Sequence, residues 1–230
     1  MDVHSFIKIF RRAINAVDNI YYGNEDLNES AFNYHDISED DLRRKSLEPY
    51  LAKYGERVFC YELYHQIRLL MDKEVAADSS DSSTVLPFHL QAELKKKQIS
   101  EKVQDLYGVE ALDKEYFPDF LLHCPDSFEQ QELIIEVKSN PKLTFSDIQK
   151  DLLKIQEFIT KYNYRKGIFL TVNTANKRMC KTLANPTNQT WIQENLPSKS
   201  QILFMCKEKP DKALFICNLG KVPDCSTIKE

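Results

Sequence analysis

Phe117-Pro118-Asp119-Phe120-Leu121-Leu122-His123 and Glu132-Leu133-Ile134-Ile135-Glu136-Val137-Lys138 decide the fold of this 230-residue chain. Each is a seven-residue, mostly apolar run bounded by turn-formers, and each reads as a strand. Pro125, Asp126 and Ser127 between them supply turn chemistry, so the two strands make a hairpin. Closed symmetrically, the hairpin pairs residues whose numbers sum to 255: Phe117 faces Lys138, Asp119 faces Glu136, and His123 faces Glu132. Glu136 and Lys138 are two apart and share a face. One face of an otherwise apolar hairpin therefore gathers Asp119, Glu136 and Lys138 at one end. Opposed carboxylates repel each other unless a cation lies between them. Mg²⁺ is the usual ion held by one or two carboxylates plus substrate phosphate. A lysine beside it can orient water or stabilise charge on phosphorus oxygens.

The chain as a whole is acidic, with a net charge of −4. Its hydrophobic content of 42% and charged content of 29% are those of a globular domain. No apolar run approaches a membrane span and no signal-peptide core is seen, so no membrane association is expected. Its five glycines form no phosphate loop, which excludes a P-loop or dinucleotide site. Six cysteines (60, 124, 180, 206, 217 and 225) are scattered without CxxC pairs. They read as thiols of a reducing, cytoplasmic protein, with no disulfide framework or zinc site. The charge is uneven. Phe158 to Ile192 contains no acid but holds Lys161, Arg165, Lys166, Lys177, Arg178 and Lys181. A basic stretch with Asn, Thr and the single Trp191 suits phosphate contact, although a solvated face gives the same pattern.

Periodicity places a helix over 3–21 and a second over 55–72, the latter packing through Val58, Phe59, Leu63, Ile67 and Leu70. Glu62 lies within that packed side, where a carboxylate is costly unless paired or bound to a cation. Ser38 to Asp41 looks like a capping box. Residues 78–84 are low-complexity, and 87–94 read as a strand. That strand carries a second acid-x-Lys, Glu93-Leu94-Lys95, but no Asp is placed opposite it. The longest helix spans 145–162, with Ile148, Leu152, Ile155 and Ile159 in its stripe. A buried strand over 166–173 follows, reached by a crossover. Short helices come next, and a closing hairpin of 201–206 and 213–218 ends the sheet. This order predicts an α/β fold: a mixed sheet flanked by helices. Residues 1–54 read as an N-terminal helical extension, 55–219 as the main domain, and 220–230 as a tail.

Pro118-Asp119, sixteen residues, then Glu136-Val137-Lys138 resembles the PD-(D/E)XK nuclease superfamily. Context carries the likeness, because only this Pro-Asp lies on a strand directly before a strand with the triplet. The resemblance covers about Gly55 to Asn173. It implies a restriction-endonuclease-like αβα core and a Mg²⁺- (or Mn²⁺-) dependent deoxyribonuclease. Asp119, Glu136 and Glu62 would hold the metal, and Lys138 would act with them as a catalytic residue. DNA is the implied partner, and a homodimer is the implied assembly where two strands are cut. The exonuclease branch of the superfamily often carries Gln-x-x-x-Tyr on the long helix. Here Gln149 is followed by Leu153 and Gln156 by Thr160, a departure from that branch. Two other readings remain. One is a catalytically silent nuclease-like fold that binds DNA or protein. The other is an unrelated α/β protein in which Glu136 and Lys138 serve a structural ion pair.

Overall fold

A computed structural model of the chain describes residues 2–22, 41–77, 88–92, 108–124 and 130–227, with 41–54 and 75–77 as backbone only. The expected capping box at Ser38, the low-complexity stretch and the Glu93-x-Lys95 triplet lie outside the described residues. In chain order the elements are α1 (Val3–Ala16), α2 (Asp41–Ala77), β1 (His89–Ala92), β2 (Phe120–His123), β3 (Gln131–Ser139), α3 (Phe145–Lys161), β4 (Lys166–Val172), α4 (Asn176–Ala184), α5 (Pro186–Asn195), β5 (Ile202–Lys207) and β6 (Phe215–Asn218). The six strands form one mixed sheet in sequential order. β2 pairs antiparallel with both β1 and β3, β3, β4 and β5 run parallel, and β6 closes antiparallel to β5. α3 makes the crossover from β3 to β4, as a parallel pair requires.

Alternation along β3 divides the core into two layers. Leu133, Ile135 and Val137 face one side, joining Phe6, Ile9, Phe10 and Ile14 of α1 and Phe59, Leu63 and Ile67 of α2. Ile134 faces the other side, with Leu121, Phe169 and Phe204 under Ile148, Leu152 and Ile155 of α3. Helices therefore cover both faces. α1 belongs to the first layer, and Lys207 at the end of β5 ties to it by donating to Asn15 Oδ1 at 2.8 Å. The expected division at residue 54 falls inside α2, which runs unbroken from Asp41 to Ala77.

Local chemistry sets the helix ends. Thr144 caps α3: its hydroxyl accepts from the Asp147 N–H while the Asp147 carboxylate accepts from the Thr144 N–H and hydroxyl. Asn185 caps α5, with Pro186 in its first turn. The expectation of reduced thiols is corrected at one pair. A short 3₁₀ turn at Cys225–Thr227 folds back on α4 and joins Cys225 to Cys180 by a disulfide, so this part of the tail is tethered. Cys60, Cys124, Cys206 and Cys217 remain thiols. No helix among the described residues is long and apolar enough to cross a membrane.

α3 lies close on β4 because Gly167 has no side chain; a Cβ there would run into Cγ2 of Ile155. Gly167→Ala should destabilise the fold by about 1–3 kcal/mol, the usual cost of overpacking. Adding Ile155→Ala should recover part of that loss, a non-additivity that a double-mutant cycle of urea unfolding reads directly. Simple additivity would show that α3 does not seat on Gly167.

Candidate active site

The hairpin register sets the site. β2 and β3 pair Phe120 with Ile135, Leu121 with Ile134 and Leu122 with Leu133, the register the symmetric hairpin predicts. A bulge follows, and His123 pairs with Gln131 where Glu132 was expected. Asp119 stands just before β2, and its Oδ2 accepts the Val137 N–H at 2.7 Å. The register extended by one residue brings Asp119 beside Glu136. Both have the parity of Leu121 and Ile134, so both belong to the α3 side of the sheet. The position is the carboxyl-terminal half of β3, where the sheet changes from antiparallel to parallel pairing. Open α/β sheets place ligands at such ends.

Two side chains of α3 complete the cluster. Lys154 Nζ donates to Glu136 Oε2 at 2.6 Å and lies 3.5 Å from Asp151 Oδ1. Asp151 Oδ2 lies 3.6 Å from Lys138 Nζ, so this carboxylate bridges the two lysines. Lys138 also pairs with Glu56 Oε1 at 3.1 Å, and Glu56 Oε2 accepts from the Ser139 N–H. Glu56, on α2, thus reaches around the end of β3. When all are ionised, the carboxylates of Glu56, Asp119, Glu136 and Asp151 exceed the two ammonium groups by two charges.

Glu62, the helical acid expected in this shell, is elsewhere. The buried stripe of α2 meets the sheet face opposite to Glu136, and Glu62 accepts from Gln66 Nε2 at 2.6 Å on its own helix. Glu56 meets Lys138 in its stead. The sequence does hold a signal for it: Glu56 extends the 59/60, 63, 67 stripe by one turn, whereas Glu62 is offset from it. Asp151 and Lys154 gave no such signal, since charged residues on a surface helix normally face solvent.

Burial dominates the electrostatics. It pushes the Asp119 carboxyl up to about 6, against the opposing pull of the Val137 N–H and the Lys138 ammonium. Glu136, 1% exposed, is raised well above the ordinary range by burial first and by the Asp119 charge second, with Lys154 opposing. Burial alone would lower Lys138. The carboxylates of Asp151, Glu56, Asp119 and Glu136 outweigh it and hold the ammonium above its ordinary value. The Glu136 Oε1 atom is buried without a hydrogen-bond partner. Such an orphan acceptor beside a second carboxylate fits a cation. Among the described residues no group of three His, Cys, Asp or Glu side chains is already gathered as a metal site, since lysines stand between these carboxylates.

The six basic residues expected to bind nucleic acid do not form one surface. Lys161 pairs with Asp113 and, at 3.4 Å, with Glu157, while Arg165 pairs with Glu132 at 3.3 Å. These two and Lys166 lie at the end of the sheet where β4 begins, opposite the end that carries Lys138. Lys177, Arg178 and Lys181 on α4 lie at the Lys138 end and line a shallow groove with Asn185 and Asn188. Arg178 is partly committed, donating to the Pro141 and Leu143 carbonyls at 2.7 and 3.0 Å in the loop after β3. Comparison with known proteins returned no matching family model, no matching curated protein and no matching solved structure.

Asp119→Asn keeps an oxygen for the Val137 N–H and removes a buried charge. The folded-state pKa of about 6 lies above the ordinary 3.8, so the carboxyl's contribution to stability is whole below about pH 3.8 and is lost as the pH rises through 6. D119N should therefore be more stable than the wild type at pH 7.5, by on the order of 2 kcal/mol, with the gap closing toward pH 4. Urea unfolding across that range measures it; a gap independent of pH would rule out burial as the cause.

Proposed function

We propose that the chain is a metal-dependent nuclease of the PD-(D/E)XK type that hydrolyses phosphodiester bonds of DNA. One observation carries the reading: Glu136, buried with an unsatisfied oxygen, stands beside Asp119 with Lys138 two residues along the same strand face. Asp119 and Glu136 would hold Mg²⁺ or Mn²⁺, with Glu56 in the position first assigned to Glu62. The bound ion would supply Lewis-acid activation of water and of the phosphoryl group. Lys138, kept charged by its carboxylates, directs N–H donors toward a water or a phosphate oxygen. Neutralising those carboxylates leaves burial as the main influence on Lys138, and burial favours release of its proton. Asp151 fixes the distance between the two lysines, and Lys154 keeps Glu136 oriented. Lys177 and Lys181, at the same end of the sheet, suit the flanking phosphates. The four thiols favour a cytoplasmic setting; the Cys180–Cys225 disulfide pulls against it.

A second reading also has support. The Lys138–Glu56 and Lys154–Glu136 pairs satisfy much of the cluster without any metal ion. A silent fold that binds DNA or protein would need nothing more.

Divalent-dependent cleavage of DNA should fall at least about 100-fold in Lys138→Ala and Asp119→Ala, the scale of losing a positioned catalytic group. Glu56→Gln should lower it more than Glu62→Gln. Absence of cleavage with Mg²⁺ and Mn²⁺ on linear, nicked and single-stranded DNA would defeat the enzyme reading.

Protons and cation compete for the same raised carboxyls. Mg²⁺ should therefore raise the melting temperature more at pH 8 than at pH 5.5, and Glu136→Gln should abolish that response. No divalent response at either pH, combined with tight DNA binding, selects the silent fold.

A further inference from the structure

Lys138 is the last residue but one of β3, and the connection to α3 begins right after it. Both of its carboxylate partners depend on that connection. Glu56 Oε2 accepts the Ser139 N–H at 3.3 Å while Oε1 meets the Lys138 ammonium at 3.1 Å. Asp151, 3.6 Å from Lys138, rides on α3, which starts at Phe145. The path of residues 139–144 therefore sets where both acids stand relative to the ammonium group. The connection has few bonds of its own. The Asn140 carbonyl accepts the Leu143 N–H at 3.1 Å, and the Asn140 side chain accepts the Lys142 N–H at 2.8 Å.

The segment that follows β4 grips it from outside. Asn173 Nδ2 donates to Ser139 Oγ at 2.8 Å, and Thr174 Oγ1 donates to the Asn140 carbonyl at 2.7 Å. Arg178 adds its bonds to the Pro141 and Leu143 carbonyls from an exposed position. Thr174 is the buried member. It and Thr171 are both 0% exposed, so water cannot replace the bonds they make. The single Thr174 proton goes to the carbonyl, so the Thr171 hydroxyl, 3.1 Å away, donates to Thr174. Thr171 stands in register with Lys138 on the adjoining strand. Thr174 thus ties the strand beside Lys138 to the connection after it. Asn173 is held at φ 62°, a left-handed conformation that Asn adopts more readily than most residues with a side chain.

We propose that Thr174 and Asn173 are positioning residues for Lys138: by holding residues 139 and 140 they keep its ammonium group between Glu56 and Asp151. They act through the connection and not on a substrate. The hold on Lys138 stands on these bonds alone; its value for cleavage rests on the nuclease reading.

Competitive acylation tests this without cleavage. The full chain in EDTA is treated with trace acetic anhydride, and mass spectrometry compares Lys138 with the exposed Lys150. An amine held in two ion pairs is protected, and a released one reacts. Thr174→Val keeps the branched shape and removes the hydroxyl. It should raise the Lys138 rate at least about 5-fold, the scale of one hydrogen bond, with Lys150 unchanged. Thr174→Ser keeps the hydroxyl and should match the wild type. Melting temperatures show which variants are folded in the assay. If Thr174→Val is not, Asn173→Gly decides, since glycine keeps the left-handed backbone and drops the carboxamide; it should raise the rate at least about 2-fold. Wild-type protection of Lys138 in the deciding variant overturns the proposal, whatever the melting temperature does, and so does a Ser variant that behaves like Val. A wild type that cuts no DNA defeats the nuclease reading and leaves the acylation result to decide the hold. Cleavage together with unchanged acylation does the reverse. A freed Lys138 with kcat unchanged keeps the hold and removes Lys138 from catalysis.

Discussion

The ion pair between Lys154 and Glu136 is the contact that the sheet and its covering helix must both accommodate. A carboxylate in the middle of a buried strand costs several kcal/mol unless a partner reaches it. That partner comes from α3, so α3 must lie at one height and one distance over β3. Gly167 permits the distance, and the Thr144–Asp147 box fixes where the helix starts. Asp151, one helical turn before Lys154, then falls beside Lys138. The spacing of three residues on α3 matches the spacing of two on β3, which is why two lysines and two acids interlock. The same helix thus closes the core and completes the candidate site.

Much of this architecture was legible from the chain. Apolar runs of strand length gave the sheet, and the 3.6-residue stripes gave α1 and α3. The rule that paired numbers sum to 255 held for Phe120 to Leu122 and broke only at His123, where a bulge adds a residue that no periodicity announces. The clustering of Asp119, Glu136 and Lys138 in the candidate site was legible because alternation along strands assigns a face. The site was less legible on helices. Glu62 was chosen for its apolar neighbours, but neighbours in sequence do not say which sheet face a helix covers; Glu56 is at the end of the stripe that does. Nothing in the sequence separates Asp151 and Lys154 from ordinary charges on a surface helix.

The basic stretch shows a different blind spot. Charge counted along the chain ignores acids that fold back from afar. Asp113, Glu132 and Glu157 meet Lys161 and Arg165, so part of a stretch with six cations is neutralised locally. What remains is divided between the two ends of β4. Cysteine spacing was similarly silent: Cys180 and Cys225 are 45 residues apart and meet because the chain after β6 returns to α4.

The seating of α1 has a practical meaning for dissecting the protein. Phe6, Ile9, Phe10 and Ile14 are fully buried against the same sheet face that α2 covers. The helix is part of the wall, not an ornament on it. A fragment trimmed to begin at Gly55 would leave that wall open, with Leu133, Ile135 and Val137 of the site-bearing strand beneath the gap. Inactivity of such a fragment would report clumping of exposed apolar surface and say nothing about the chemistry of Lys138.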